Sequence, residues 1–75
     1  MTTEFTDEDR RILAHLTERV GRGEEYFRAR TIAPWVGLTP KQVGARLPRL
    51  AERVDSLVIT KWGRHRGTTW RVQPR

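Results

Sequence analysis

Residues 39–42, Thr-Pro-Lys-Gln, constrain the fold of this chain more than any other stretch. Thr39 has the side chain of a helix N-cap, Pro40 suits the first helical position, and Gln42 stands where the second half of a capping box belongs. A helix that starts there carries Val43, Leu47, Leu50 and Val54 within about 60° of one another at roughly 100° per residue. That stripe must be buried. Lys41, Gln42, Ala45, Arg46, Arg49 and Arg53 fan across the opposite arc, so the outer face is basic and nearly free of acid. Pro48 conflicts with the pattern. An interior proline costs about 3 kcal/mol and turns the preceding residue away from helical angles. The sequence therefore predicts a straight segment from 40 to 47 and a bend or break at Pro48.

The flanking segments complete a small set of elements. "RTIAPWVG" reads as a short helix closed by Gly37, with Ile32, Ala33 and Val36 facing inward. Pro34 costs little if Thr31 is the N-cap, and removes a hydrogen bond if the helix begins earlier. Near the N-terminus, Thr6 and Asp9 have capping-box spacing. Ile12, Leu13, Leu16 and Val20 form an apolar stripe, and Asp7, Glu8 and Asp9 fill the first turn, where the helix dipole favours acid. Gly21, opening "GRG", suits the left-handed residue that ends this helix. "EEYFRA" reads as a short extended piece with Tyr26 and Phe27 in or at the edge of the core. After Ser56 the period changes: "LVITKW" and "TTWRVQ" are strands joined by the basic loop "GRHRG", a β-hairpin. Trp70 and Val72 share a face of the second strand and should meet the helices.

A chain of 75 residues forms one domain, here 1–75 with a core of about 7–73. A domain this small buries only about 60 % of its unfolded surface, too little for a deep catalytic cavity beside a stable core. It has no cysteine, which rules out disulfides and cysteine–zinc sites and suits a reducing cytosol. No apolar run approaches the roughly 20 residues of a membrane span, and "MTTEFTDEDRR" has none of the features of a signal segment. The expectation is a cytoplasmic protein. The two histidines, His15 and His65, have no carboxylate or nucleophile at a useful spacing. No phosphate loop or metal-ligand pattern occurs. An enzyme is not expected, nor a cofactor, a metal or a small-molecule substrate.

Charge placement gives the positive indication. The net charge is +6, but residues 1–37 carry −1 and residues 38–75 carry +7. A lopsided basic half points to a polyanionic partner.

The element order is helix, strand, helix, helix, strand, strand, or α-β-α-α-β-β. This is the order of the α+β winged helix-turn-helix, with three helices and a C-terminal β-hairpin wing. "TIAPWVGLTPKQVGARLPRL" looks like the helix-turn-helix unit, and "LVITKWGRHRGTTWRV" looks like the wing. More narrowly, "YFRARTIA", "VGARLPRLAE" and "KWGRHRGTTWRV" resemble stretches of short single-domain archaeal winged-helix proteins, haloarchaeal ones especially. The resemblance covers about residues 8–73. The chain departs from haloarchaeal proteins, which are usually acidic, in being basic.

The resemblance and the residue chemistry together imply duplex DNA as partner. Helix 40–49 would enter the major groove, and the wing, 63–67, would lie on flanking backbone or in the minor groove. Arg46 and Arg49 can fork onto guanine, and Gln42 onto adenine unless it closes the capping box instead. Ala45 permits close approach and can touch a thymine methyl. Lys41 meets phosphate, and Thr39 with its helix N-terminus can donate to one. Arg64, His65 and Arg66 form the wing tip, with His65 a hydrogen-bonding bystander, and Lys61 and Arg71 extend the basic track along the strands. A two-fold homodimer would lengthen the site read. Two other partners fit the same sequence. One is a protein, anchored by Trp35 and Trp62; Trp62 is either core or a stacking surface, and Trp35 an exposed dimer contact. The other is structured RNA on the same basic face.

Overall fold

The computed structural model describes residues 5–63 and 68–75. Three helices pack on one face of a three-stranded antiparallel sheet. Helix α1 spans Asp7–Gly21, strand β1 Tyr26–Arg28, helix α2 Ala29–Val36, helix α3 Pro40–Arg53, strand β2 Leu57–Gly63 and strand β3 Thr69–Pro74. The α+β class and the expected element order both hold.

Both capping boxes form. Thr6 Oγ1 accepts from the Asp9 N–H at 3.1 Å, while the Asp9 carboxylate accepts from the Thr6 N–H at 3.0 Å. Thr39 Oγ1 accepts from the Gln42 N–H at 3.1 Å, and Gln42 Oε1 accepts from the Thr39 N–H at 2.9 Å. Each box satisfies amide donors that the first turn of a helix leaves open. Helix α1 runs one residue further than its sequence suggests. Gly21 is its last residue and Arg22 its C-cap, and the left-handed conformation falls on Gly23 at φ 97°. Gly37 closes α2 at φ 72°, as expected of a glycine there.

Both internal prolines are accommodated within continuous helix. Helix α3 does not break at Pro48; it continues to Arg53. Leu50, fully buried, and Val54 anchor the turn beyond the proline, and burying side chains of this size is worth about 1.5–3 kcal/mol each. That offsets the missing hydrogen bond, while the ring itself sits on the exposed side of the helix. Helix α2 begins at Ala29, capped by Arg28, so Thr31 is not its N-cap. The reason is β1, which runs straight into it with Arg28 still extended. Pro34 therefore lies inside α2 and leaves the Arg30 carbonyl without its usual donor.

Strand β3 is central. Phe27 pairs with Trp70 on one side, and Ile59 pairs with Val72 on the other. The helix-facing surface of the sheet, with Phe27, Leu57, Ile59, Trp70 and Val72, closes the core against Ile12, Leu16, Ile32, Val43, Leu47 and Leu50. Tyr26 is not a core residue: strand alternation turns it to the outer face, half exposed, opposite Arg71. The β2–β3 register slips between Lys61 and Gly63, so Trp62 is the extra residue of a bulge.

Candidate nucleic-acid interface

Helix α3 has three faces besides its buried stripe. Its outermost face carries Lys41, Ala45 and Arg49, all exposed. Among the described residues no ion pair engages Lys41 or Arg49. Glu52 shares that face near its C-terminal end, the one acid there.

The flank toward α1 is different. Arg46 donates to Asp9 Oδ1 and to Thr6 Oγ1, both at 3.1 Å. Asp9 is 1 % exposed. Its pKa is set by opposing forces: burial raises it, but the Thr6 N–H and the Arg46 guanidinium outweigh burial and hold the carboxyl below its ordinary value. Arg46 therefore joins α3 to the start of α1, and its guanidinium does not belong to the outer face where the sequence placed it. Gln42, on the same flank, uses its side-chain carbonyl to close the capping box.

The opposite flank, Pro40, Gly44 and Pro48, lines a groove of about 340 Å³ between α3, the start of α2 and the loop-proximal end of the β2–β3 hairpin. Arg28, Arg30 and Lys61 stand around it. Lys61 lies on the helix-facing side of the sheet, its Nζ 5.6 Å from the Trp70 ring centroid. Arg28 and Arg30 were not candidates on sequence, because the acidic tally of the N-terminal half conceals them. Arg28 ends β1 and Arg30 lies in the first turn of α2, and both stand on the basic side.

Arg71 does not extend this track. It lies on the outer face of the sheet, paired with Glu25 and set over Trp62 and Tyr26, with its Cζ 5.0 and 6.0 Å from their centroids. Lys61 and Arg71 thus occupy opposite faces. Trp62 is an exposed surface ring, not core. Arg64, His65 and Arg66 lie outside the described residues. Thr39 is exposed at the start of α3, with Lys41 beside it.

On the far side of the molecule, Trp35 is 65 % exposed. It stacks on His15 at 5.9 Å, with the Arg19 guanidinium 4.8 Å from its ring centroid. Burial lowers the pKa of His15, and Arg19 lowers it further. The imidazole is half-buried beside the apolar stripe of α1, as its sequence position suggested. Among the described residues no helix is long and apolar enough to cross a membrane.

No curated protein and no solved structure matches the chain. A family model does, over residues 1–74, and the chain belongs to that family, the one described as Domain of unknown function (DUF7123).

Proposed function

We propose that the protein binds double-stranded DNA as a small transcriptional regulator of winged helix-turn-helix type. Helix α3 enters the major groove with Lys41, Ala45 and Arg49 foremost, and the β2–β3 hairpin lies along flanking backbone. One observation carries the reading. The outermost face of α3 holds exposed cations with no ion pair among the described residues, and Arg28, Arg30 and Lys61 line the groove beside it. Those groups match a phosphate backbone, and Arg49 has the fork needed for a guanine edge. Thr39 and the N-terminus of α3 supply a phosphate donor. Arg46 takes no part, because its charge is already engaged by Asp9. The resemblance of its sequence stretches to short archaeal winged-helix proteins agrees with this reading.

Selection from random duplex DNA at two salt concentrations tests it. Binding should weaken steeply with salt, with a slope of log affinity on log salt of roughly −5 for five or six phosphate contacts. A flat salt dependence overturns the proposal. Competition with duplex RNA of equal length separates DNA from RNA. A palindromic selected site would indicate a two-fold dimer.

A second reading, a protein-interaction module, draws on the exposed rings of Trp35 and Trp62, since tryptophan is enriched at interface hot spots. A tight protein partner lost in Trp35→Ala, with no shift of duplex DNA, would favour it.

A further inference from the structure

The groove beside α3 has the chemistry of a small-ligand site. Its volume, about 340 Å³, lies at the lower end of the range that holds small molecules, about 300–1,000 Å³. Its walls are apolar: Trp70 and Ala29 on one side, Pro40 and Pro48 on the other. Among the described residues its charged groups are all cationic, Arg28, Arg30 and Lys61, and no acid lines it. A flat apolar body with one negative charge matches that combination.

Two features of α3 sharpen the match. Gly44 sits in mid-helix, where glycine is a poor helix former. A Cβ there would meet only the Ala29 Cβ, at 3.8 Å, which is ordinary contact. Packing does not demand the glycine, and its effect is to leave the groove open. One turn later Pro48 has no N–H, so the Gly44 carbonyl lacks its usual helical donor. Gly44 and Pro48 both line the groove, and a ligand N–H or O–H can supply the missing donor.

We propose that the groove between α3 and the loop-proximal end of the β2–β3 hairpin binds a small aromatic carboxylate bearing a ring N–H or O–H. The carboxylate meets Arg28, Arg30 and Lys61, the ring lies against Trp70 and the prolines, and the ring donor reaches the Gly44 carbonyl. The site lies beside the outer face of α3 and shares Arg28, Arg30 and Lys61 with the phosphate contacts proposed above, but binding of the small ligand does not itself require DNA. A bound ligand would stand beside the helix proposed to enter DNA, which makes it a candidate effector.

The test uses the full chain without DNA. ¹⁵N–¹H correlation spectra are recorded during titration with indole-3-carboxylate and, separately, with the neutral indole-3-carboxamide. The carboxylate should give saturable shifts at Ala29, Arg30, Gly44, Thr68 and the Trp70 indole N–H. The carboxamide should bind about tenfold more weakly, the effect of losing a charge-assisted contact. Arg30→Gln, at an exposed position, should weaken the carboxylate about fivefold. Gly44→Leu should abolish the shifts by filling the groove, and the spectrum of the free variant reports whether it is folded. If that variant unfolds, Arg30→Gln and the carboxamide still decide. Equal binding of the two compounds overturns the proposal. So do shifts that fail to saturate, or that spread to other cations such as Arg49.

Discussion

Arg46 and Arg49 lie less than one turn apart on α3, and the fold puts them to opposite uses. Arg46 points back across the helix to a buried aspartate. Arg49 faces outward, with no ion pair among the described residues. Their spacing differs by only three residues, yet that rotates one side chain onto α1 and the other into solvent. A basic helix face is thus two surfaces, one that holds the domain together and one available to a partner. Counting cations on a helical arc therefore overstates what an anion can meet.

Arg46→Ala strands the Asp9 carboxylate with only the Thr6 N–H, and should cost about 2–4 kcal/mol in urea unfolding. A loss below about 0.5 kcal/mol would mean that the pair is a surface contact. Asp9 carries the same statement in its pH dependence. Folding lowers its pKa, so its contribution is present above the ordinary value of 3.8. It is lost as pH falls through that value and the lower folded one. In Asp9→Asn the urea midpoint should therefore fall less steeply on the acid side than in the parent chain.

Arg49→Ala should do the reverse. Its stability should stay within about 0.5 kcal/mol of the parent, while duplex DNA affinity falls by about 1–3 kcal/mol and the salt slope flattens by about one. An unchanged affinity would remove α3 from the proposed interface. Thr39→Ala is smaller. Losing the cap should cost about 1 kcal/mol of stability, checked by thermal melting. Smallest of all is Gly44→Ala, whose methyl meets Ala29 at ordinary distance. It should raise stability by about 0.5–1 kcal/mol. A loss instead would show that the space beside Ala29 is too tight for a methyl.

The two capping boxes, the apolar stripes of α1 and α3, the glycine closing α2 and the C-terminal hairpin were all legible in the sequence. Each is a local signal, decided by residues no more than a few positions apart. What was not legible depends on distant partners. Pro48 reads as a break until Leu50 and Val54 are seen buried beyond it. Tyr26 and Phe27 read alike until β1 pairs with β3 and alternation turns one outward. Arg28 and Arg30 read as part of an acidic half until β1 and the start of α2 bring them around one groove with Lys61. Asp9 reads as a capping residue and no more, because its second partner stands 37 residues away.

Periodicity and capping chemistry alone determined that this chain makes three amphipathic helices and a hairpin, and that its C-terminal half is strongly cationic. Only the tertiary structure decided which cations face outward. Local helix geometry assigns a direction to each side chain, but whether a buried carboxylate waits in that direction depends on how α1 packs against α3. Burial makes that choice: a carboxylate removed from water must find a cation, and Arg46 meets it at 3.1 Å.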